Sequence, residues 1–109
     1  MQDAPVSFAY LVRELPLERF PFRRWRWELW QGALLVAAGW VTTPRGVERA
    51  LRRAGSRRLH HLAGVTALRP DRARLLDTLT PDRPARLETG VGTCLLVAAN
   101  APETDAVAA

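Results

Sequence analysis

The residues with the most chemistry to offer lie in one stretch, FPFRRWRWELW at positions 20–30, where arginines and aromatic rings interleave. Proteins that hold single-stranded nucleic acid use this composition, with rings stacking on bases and guanidinium groups meeting phosphates. The headgroup zone of a membrane accepts the same mixture. Charge also gathers here: residues 23–58 hold nine arginines against two glutamates, a balance of +7, whereas residues 1–22 and 59–109 each balance at −1. All 16 basic residues are arginine, and lysine and isoleucine are absent while alanine, leucine and valine abound. GC-rich codons produce that composition, so the placement of the arginines says more than their number. A positive block between near-neutral flanks suits an anionic partner, either nucleic acid or an acidic protein.

Other reactive residue types are sparse and poorly spaced. His60 and His61 are adjacent, which on a strand would turn them to opposite faces, and no spacing typical of zinc ligands accompanies them. Cys94 sits inside the apolar run TCLLVAA, where a thiol behaves as a small hydrophobe with a raised pKa. Ser7 and Ser56 lack an elbow motif. The carboxylates Glu14, Glu18, Asp77 and Asp82 flank proline-containing turns and read as surface groups. Gly90-Val91-Gly92 is a lone G-x-G with no third glycine, better suited to a hairpin turn than to a phosphate loop. The expectation is a chain that is not an enzyme, with no catalytic residue, metal or cofactor.

The elements that must position the arginines follow from periodicity. The chain of 109 residues is 48% hydrophobic and 25% charged, as expected of one small globular domain. Its longest apolar run, residues 33–41, is far short of the roughly 20 residues a spanning helix needs. The first residues do not resemble a secretory signal, and one cysteine cannot form an internal disulfide, which points to a reducing, cytoplasmic setting. Residues 1–5 and 100–109 read as loose ends. Residues 6–12 alternate as a first strand. Residues 23–30 form the clearest strand, with Trp25, Trp27 and Leu29 on one side and Arg24, Arg26, Glu28 and Trp30 on the other. A turn at Gln31-Gly32 would set Trp30 opposite Ala33, Leu29 opposite Leu34, Trp27 opposite Val36 and Trp25 opposite Ala38. Both of those indoles then enter the core, and Arg24, Arg26, Trp30 and Leu35 face outward. Thr43 is a good N-cap and Pro44 a good first helical residue. Val47, Ala50, Leu51 and Ala54 give the helix its apolar stripe, and Gly55 would end it. Arg45, Arg49, Arg52 and Arg53 lie off that stripe, and Arg57 and Arg58 continue the charge beyond it. Further along, residues 59–68 read as a strand, 71–79 as a short helix, 85–89 as a strand and 93–99 as a buried strand.

The segment RWRWELWQGALLVAAGWVTTPRGVERALRRAG resembles the repeat unit of the YegP-like small bacterial proteins. That unit has an aromatic-basic strand, a Gly-containing turn and an apolar return strand, then a Gly-aromatic-Ser-Ser segment and a helix. The matching pieces are residues 25–29, Gln31-Gly32, residues 34–38, Gly39-Trp40, Thr42-Thr43 and residues 47–54. The resemblance covers about a third of the chain. It implies a βββα layout for residues 6–55, with the helix lying across a small antiparallel sheet, and it brings no activity and no catalytic residues. The expected fold is therefore α+β: an antiparallel sheet with a helix (βββα), followed by a β-α-β-β half.

The functional expectation is a small basic module that contacts nucleic-acid phosphates through Arg24, Arg26, Arg45, Arg49, Arg52, Arg53, Arg57 and Arg58. The alternative is a protein-interaction or assembly subunit, a homodimer included, that docks through Trp30 and Leu35.

Overall fold

The computed structural model describes residues 5–15, 24–65 and 73–99. Residues 1–4 of the expected loose start at 1–5, the expected loose end at 100–109, part of the connection before the second strand, and the far end of the expected 59–68 strand lie outside the described residues. The elements are β1 (Ser7–Glu14), β2 (Trp25–Gln31), β3 (Leu34–Val41), α1 (Pro44–Leu62), β4 (Arg74–Leu75), β5 (Ala85–Thr89) and β6 (Gly92–Ala98). They form a small α+β domain, and its first half has the expected βββα arrangement. All six strands join one sheet in the order β3-β2-β1-β6-β5-β4. Two antiparallel meanders, β1–β3 and β4–β6, meet where β1 runs parallel to β6. The sheet is thus mixed rather than antiparallel throughout.

Alternation along each strand decides which face is buried. Phe8 and Tyr10 of β1, Trp27 and Leu29 of β2, Leu87 of β5, and Cys94 and Leu96 of β6 are buried on one face. Helix α1 lies over that face and adds Val47, Leu51, Ala54 and Leu59. Fully burying a leucine such as Leu51 contributes about 1.5–3 kcal/mol, so this shared layer accounts for much of the stability. Trp25 packs at the margin of the same core. The inward placement of Trp25 and Trp27 therefore matches the alternation of their strand.

The return strand departs from its expected register. The turn is Gly32-Ala33, and Gln31 pairs with Leu34. A bulge then shifts the ladder, so that Trp27 faces Gly39 and Trp25 faces Val41. Ala37, Gly39 and Val41 therefore share the covered face, Val36 in the bulge also packs against the core, and Ala38 turns away. The indole supplies the reason: a Cβ at position 39 would lie 2.9 Å from Trp27 Nε1, so only glycine lets the ring lie flat on the neighbouring strand.

Helix α1 also runs further than its glycine suggested. Thr43 caps it, accepting the Gly46 N–H at 3.0 Å, and Pro44 begins it. Gly55 does not end it. A Cβ there would lie 2.8 Å from Leu87 Cδ2, so the residue serves close helix–sheet contact in mid-helix. Residues 59–62, expected to begin a strand, continue the helix, and the chain turns off at Ala63-Gly64. The short helix expected at 71–79 is also absent among its described residues. Leu76 N–H donates to Arg86 O at 2.9 Å, and the Asp77 carboxylate accepts the Arg86 backbone N–H at 2.9 Å. Those bonds hold the segment against β5 as a two-residue strand and a bend. The second half is consequently β-β-β.

Candidate functional site

The helix covers the Trp27 face, so the arginines of β2 and those of α1 end up on opposite sides of the sheet. Arg24 and Arg26 lie on the open face. Both guanidinium groups sit over the Trp40 ring, at 5.2 and 5.1 Å from its centroid, close enough for cation–π attraction. Arg26 Nε also donates to Glu28 Oε2 at 3.4 Å, and the Trp30 indole N–H donates to Glu28 Oε1 at 2.9 Å. The Glu28 carboxylate thus ties an arginine and a tryptophan into one surface network. Trp30 is half-buried and occupied by this bond, whereas Leu35 is exposed. Trp40, a residue the sequence did not single out, is 46% exposed. It pairs with Arg26, a partner that the bulge in the ladder hid from the sequence.

The six helical arginines separate further. Arg45, Arg49, Arg53 and Arg57 are all exposed and recur every fourth residue, which puts them on one flank of α1. At 1.5 Å per residue this flank extends about 18 Å. Among the described residues, no hydrogen bond or ion pair engages any of the four. Arg52 and Arg58 are half-buried. Arg58 Nε donates to Gln31 Oε1 at 2.8 Å, holding the helix to the β2–β3 turn. Arg52 Nε is buried without a partner. Like charges four apart on a helix destabilise it, so the stripe costs the fold something and gains nothing from internal pairing.

Two hollows lie beside α1. The larger, about 460 Å³, opens near the helix N-terminus over Tyr10, Val12 and Trp25, with Glu48 and Leu79 on its walls. The Tyr10 hydroxyl donates to Thr80 O at 3.4 Å, and burial raises its pKa. The lining is apolar apart from Tyr10, Thr78 and Glu48. It can seat a hydrophobic body but presents no nucleophile beside a base. The smaller, about 250 Å³, lies between β3 and the second half of α1, lined by Val36, Ala37, Ala54, Arg57, Arg58 and His61.

The remaining candidates take structural places. Cys94 is fully buried, and desolvation pushes its thiol up to about 11. The histidines sit on the helix rather than a strand: His60 Nδ1 donates to the Ser56 carbonyl at 2.8 Å, and His61 is exposed. No group of three metal-ligating side chains forms among the described residues. No helix among them is long and apolar enough to cross a membrane.

No family model, curated protein or solved structure matches the chain. Nothing in these comparisons bears on the likeness of residues 23–55 to the YegP-like proteins.

Proposed function

We propose that the chain is a nucleic-acid-binding module of the cytoplasm, and not an enzyme, that meets phosphates with the Arg45–Arg49–Arg53–Arg57 stripe. One observation carries this reading: four exposed guanidinium groups, one per helical turn, have no internal carboxylate partner among the described residues. An array of fixed positive charge gains most from a polymer whose negative charge also repeats, because each contact releases condensed counterions. Arg24 and Arg26 play a smaller part, since Trp40 and Glu28 already engage them.

The test is fluorescence anisotropy on a labelled duplex and a labelled single strand across a salt series. Four phosphate contacts give a slope of log K against log salt of about −3.6 for duplex and about −2.8 for single strand. Replacing the four arginines with glutamine should flatten both slopes. Binding that ignores salt, or survives that replacement, overturns the reading.

A second reading, a protein-interaction surface around Trp30 and Leu35, is favoured by the exposure of Leu34, Leu35 and Trp40 at 51%, 42% and 46%. Light scattering on wild type and Leu35→Glu tests whether it mediates self-association.

A further inference from the structure

The two edges of the sheet differ in kind. One edge is β4, only two residues long and carrying the charge of Arg74. The other is β3, eight residues reading LLVAAGWV with no charge and no proline. Proteins usually blunt such an edge, because its unpaired backbone groups are a template for another strand.

The bonds that are present show which groups stay unpaired. Leu15 N–H donates to Arg24 O at 2.9 Å, continuing the β1–β2 register. Backbone groups of residues 24, 26, 28 and 30 therefore point at β1, and those of 25, 27, 29 and 31 point at β3. Their partners on β3 are Val41, Gly39, Ala37 and Leu34. Ala38 and Trp40, between them, turn N–H and C=O to the outside, and among the described residues nothing pairs with them.

Beside this edge lies the 250 Å³ hollow, with an apolar floor of Val36, Ala37 and Ala54 and a wall on which the cationic Arg57 and Arg58 stand beside His61. An added strand sends alternate side chains to each face of a sheet. Those on the helix side would enter this hollow and meet the guanidinium groups.

We propose that the β3 edge and the Arg57–Arg58–His61 hollow together form a docking site for an extended, acidic peptide segment of a partner protein, which adds a seventh strand to the sheet. Backbone bonds to Ala38 and Trp40 supply affinity, and a glutamate or aspartate aimed at the cationic wall supplies selectivity. A second copy of this chain fits less well. Its own β3 carries no acid to answer the wall, and pairing two β3 strands about a two-fold axis would set a second cationic wall on the same side of the joined sheet. The proposal rests on edge backbone, and of the phosphate-binding stripe it shares Arg57 alone.

Three probes test it by anisotropy on the full chain: a peptide alternating valine and glutamate, its valine–lysine counterpart, and the valine–glutamate peptide N-methylated at alternate residues. The valine–glutamate peptide should bind at least about tenfold tighter than either other probe, since each lacks one half of the recognition. Ala38→Pro deletes an outward N–H without touching the β2 ladder, and should weaken that peptide about tenfold while leaving oligonucleotide affinity in place. Arg57→Glu with Arg58→Glu should reverse the preference toward the lysine peptide. Equal binding of the methylated and unmethylated peptides overturns the proposal, as does full binding by Ala38→Pro. A wild-type dimer that Ala38→Pro dissolves also overturns it, because the edge would then belong to self-association.

Discussion

The outer flank of α1 and the open face of β2 carry the same side chain in opposite circumstances. On the open face, Arg24 just before β2 and Arg26 within it lie over the Trp40 ring, and Arg26 also reaches Glu28. On α1, Arg45, Arg49, Arg53 and Arg57 project into solvent without a partner among the described residues. A guanidinium already held by a ring or a carboxylate must give up that contact, or share it, to bind a phosphate. One with only water around it gives up less. Availability, more than the number of arginines, separates a binding surface from a stabilising one.

The largest expected effect is on binding. Glutamate at positions 45, 49, 53 and 57 should lower oligonucleotide affinity by about a hundredfold or more at low salt, because the counterion-release term changes sign. Arg24→Glu with Arg26→Glu should change it by less than about fivefold. Equal losses in the two variants would erase the distinction between the faces. Next comes stability on the open face: Trp40→Ala should cost about 1–2 kcal/mol in denaturant unfolding by removing the ring beneath two cations, with oligonucleotide affinity unchanged. On the helix, Thr43→Ala should cost about 1 kcal/mol by freeing the Gly46 N–H. Arg49→Ala should have the opposite sign, raising stability by about 0.2–0.5 kcal/mol as like-charge repulsion is relieved. If Arg49→Ala instead destabilises, the stripe is a structural part of the helix.

The smallest effect belongs to a third kind of arginine. Arg86 donates to both oxygens of Asp77, at 2.9 and 3.0 Å, and these bonds lower the carboxyl pKa to about 2 from 3.8. Because the folded value is depressed, the contribution is complete above the ordinary carboxylate pKa and is lost as pH falls toward 2. The pair is solvent-exposed and its effect correspondingly slight. A melting temperature that declines between pH 4 and 2 in wild type, and less in Asp77→Asn, is the expected outcome.

Alternation along β2 was enough to place Trp25 and Trp27 inward and Arg24 and Arg26 outward, since period two survives any change of partner. Pairing with β3 was not legible. A bulge adds one residue to one strand only, and apolar residues on both faces of LLVAAGWV give no preference between registers. The meaning of Gly39 and Gly55 was hidden for a related reason. Each makes room for a side chain, Trp27 or Leu87, contributed by another strand, so neither can be read as a turn or a stop from its neighbours in sequence. The expected helix at 71–79 failed because its leucine spacing is helical while Asp77 finds its partners on Arg86, across the hairpin. The split of the arginines between two sides followed once the helix was seen to cover the Trp27 face. The β3 edge emerged only with the strand order.

The parallel junction of β1 and β6 joins the first of the described strands to the last. Phe8 sits beside Leu96, and Tyr10 beside Ala98. On a translating ribosome, β1 through α1 can assemble early, but the flank of β1 that β6 will occupy stays bare until residues 92–98 have emerged. Closure of this junction is therefore a late, long-loop event, and in that interval the nascent chain has two open strand flanks where the folded sheet, among the described residues, keeps β3 as its one long edge.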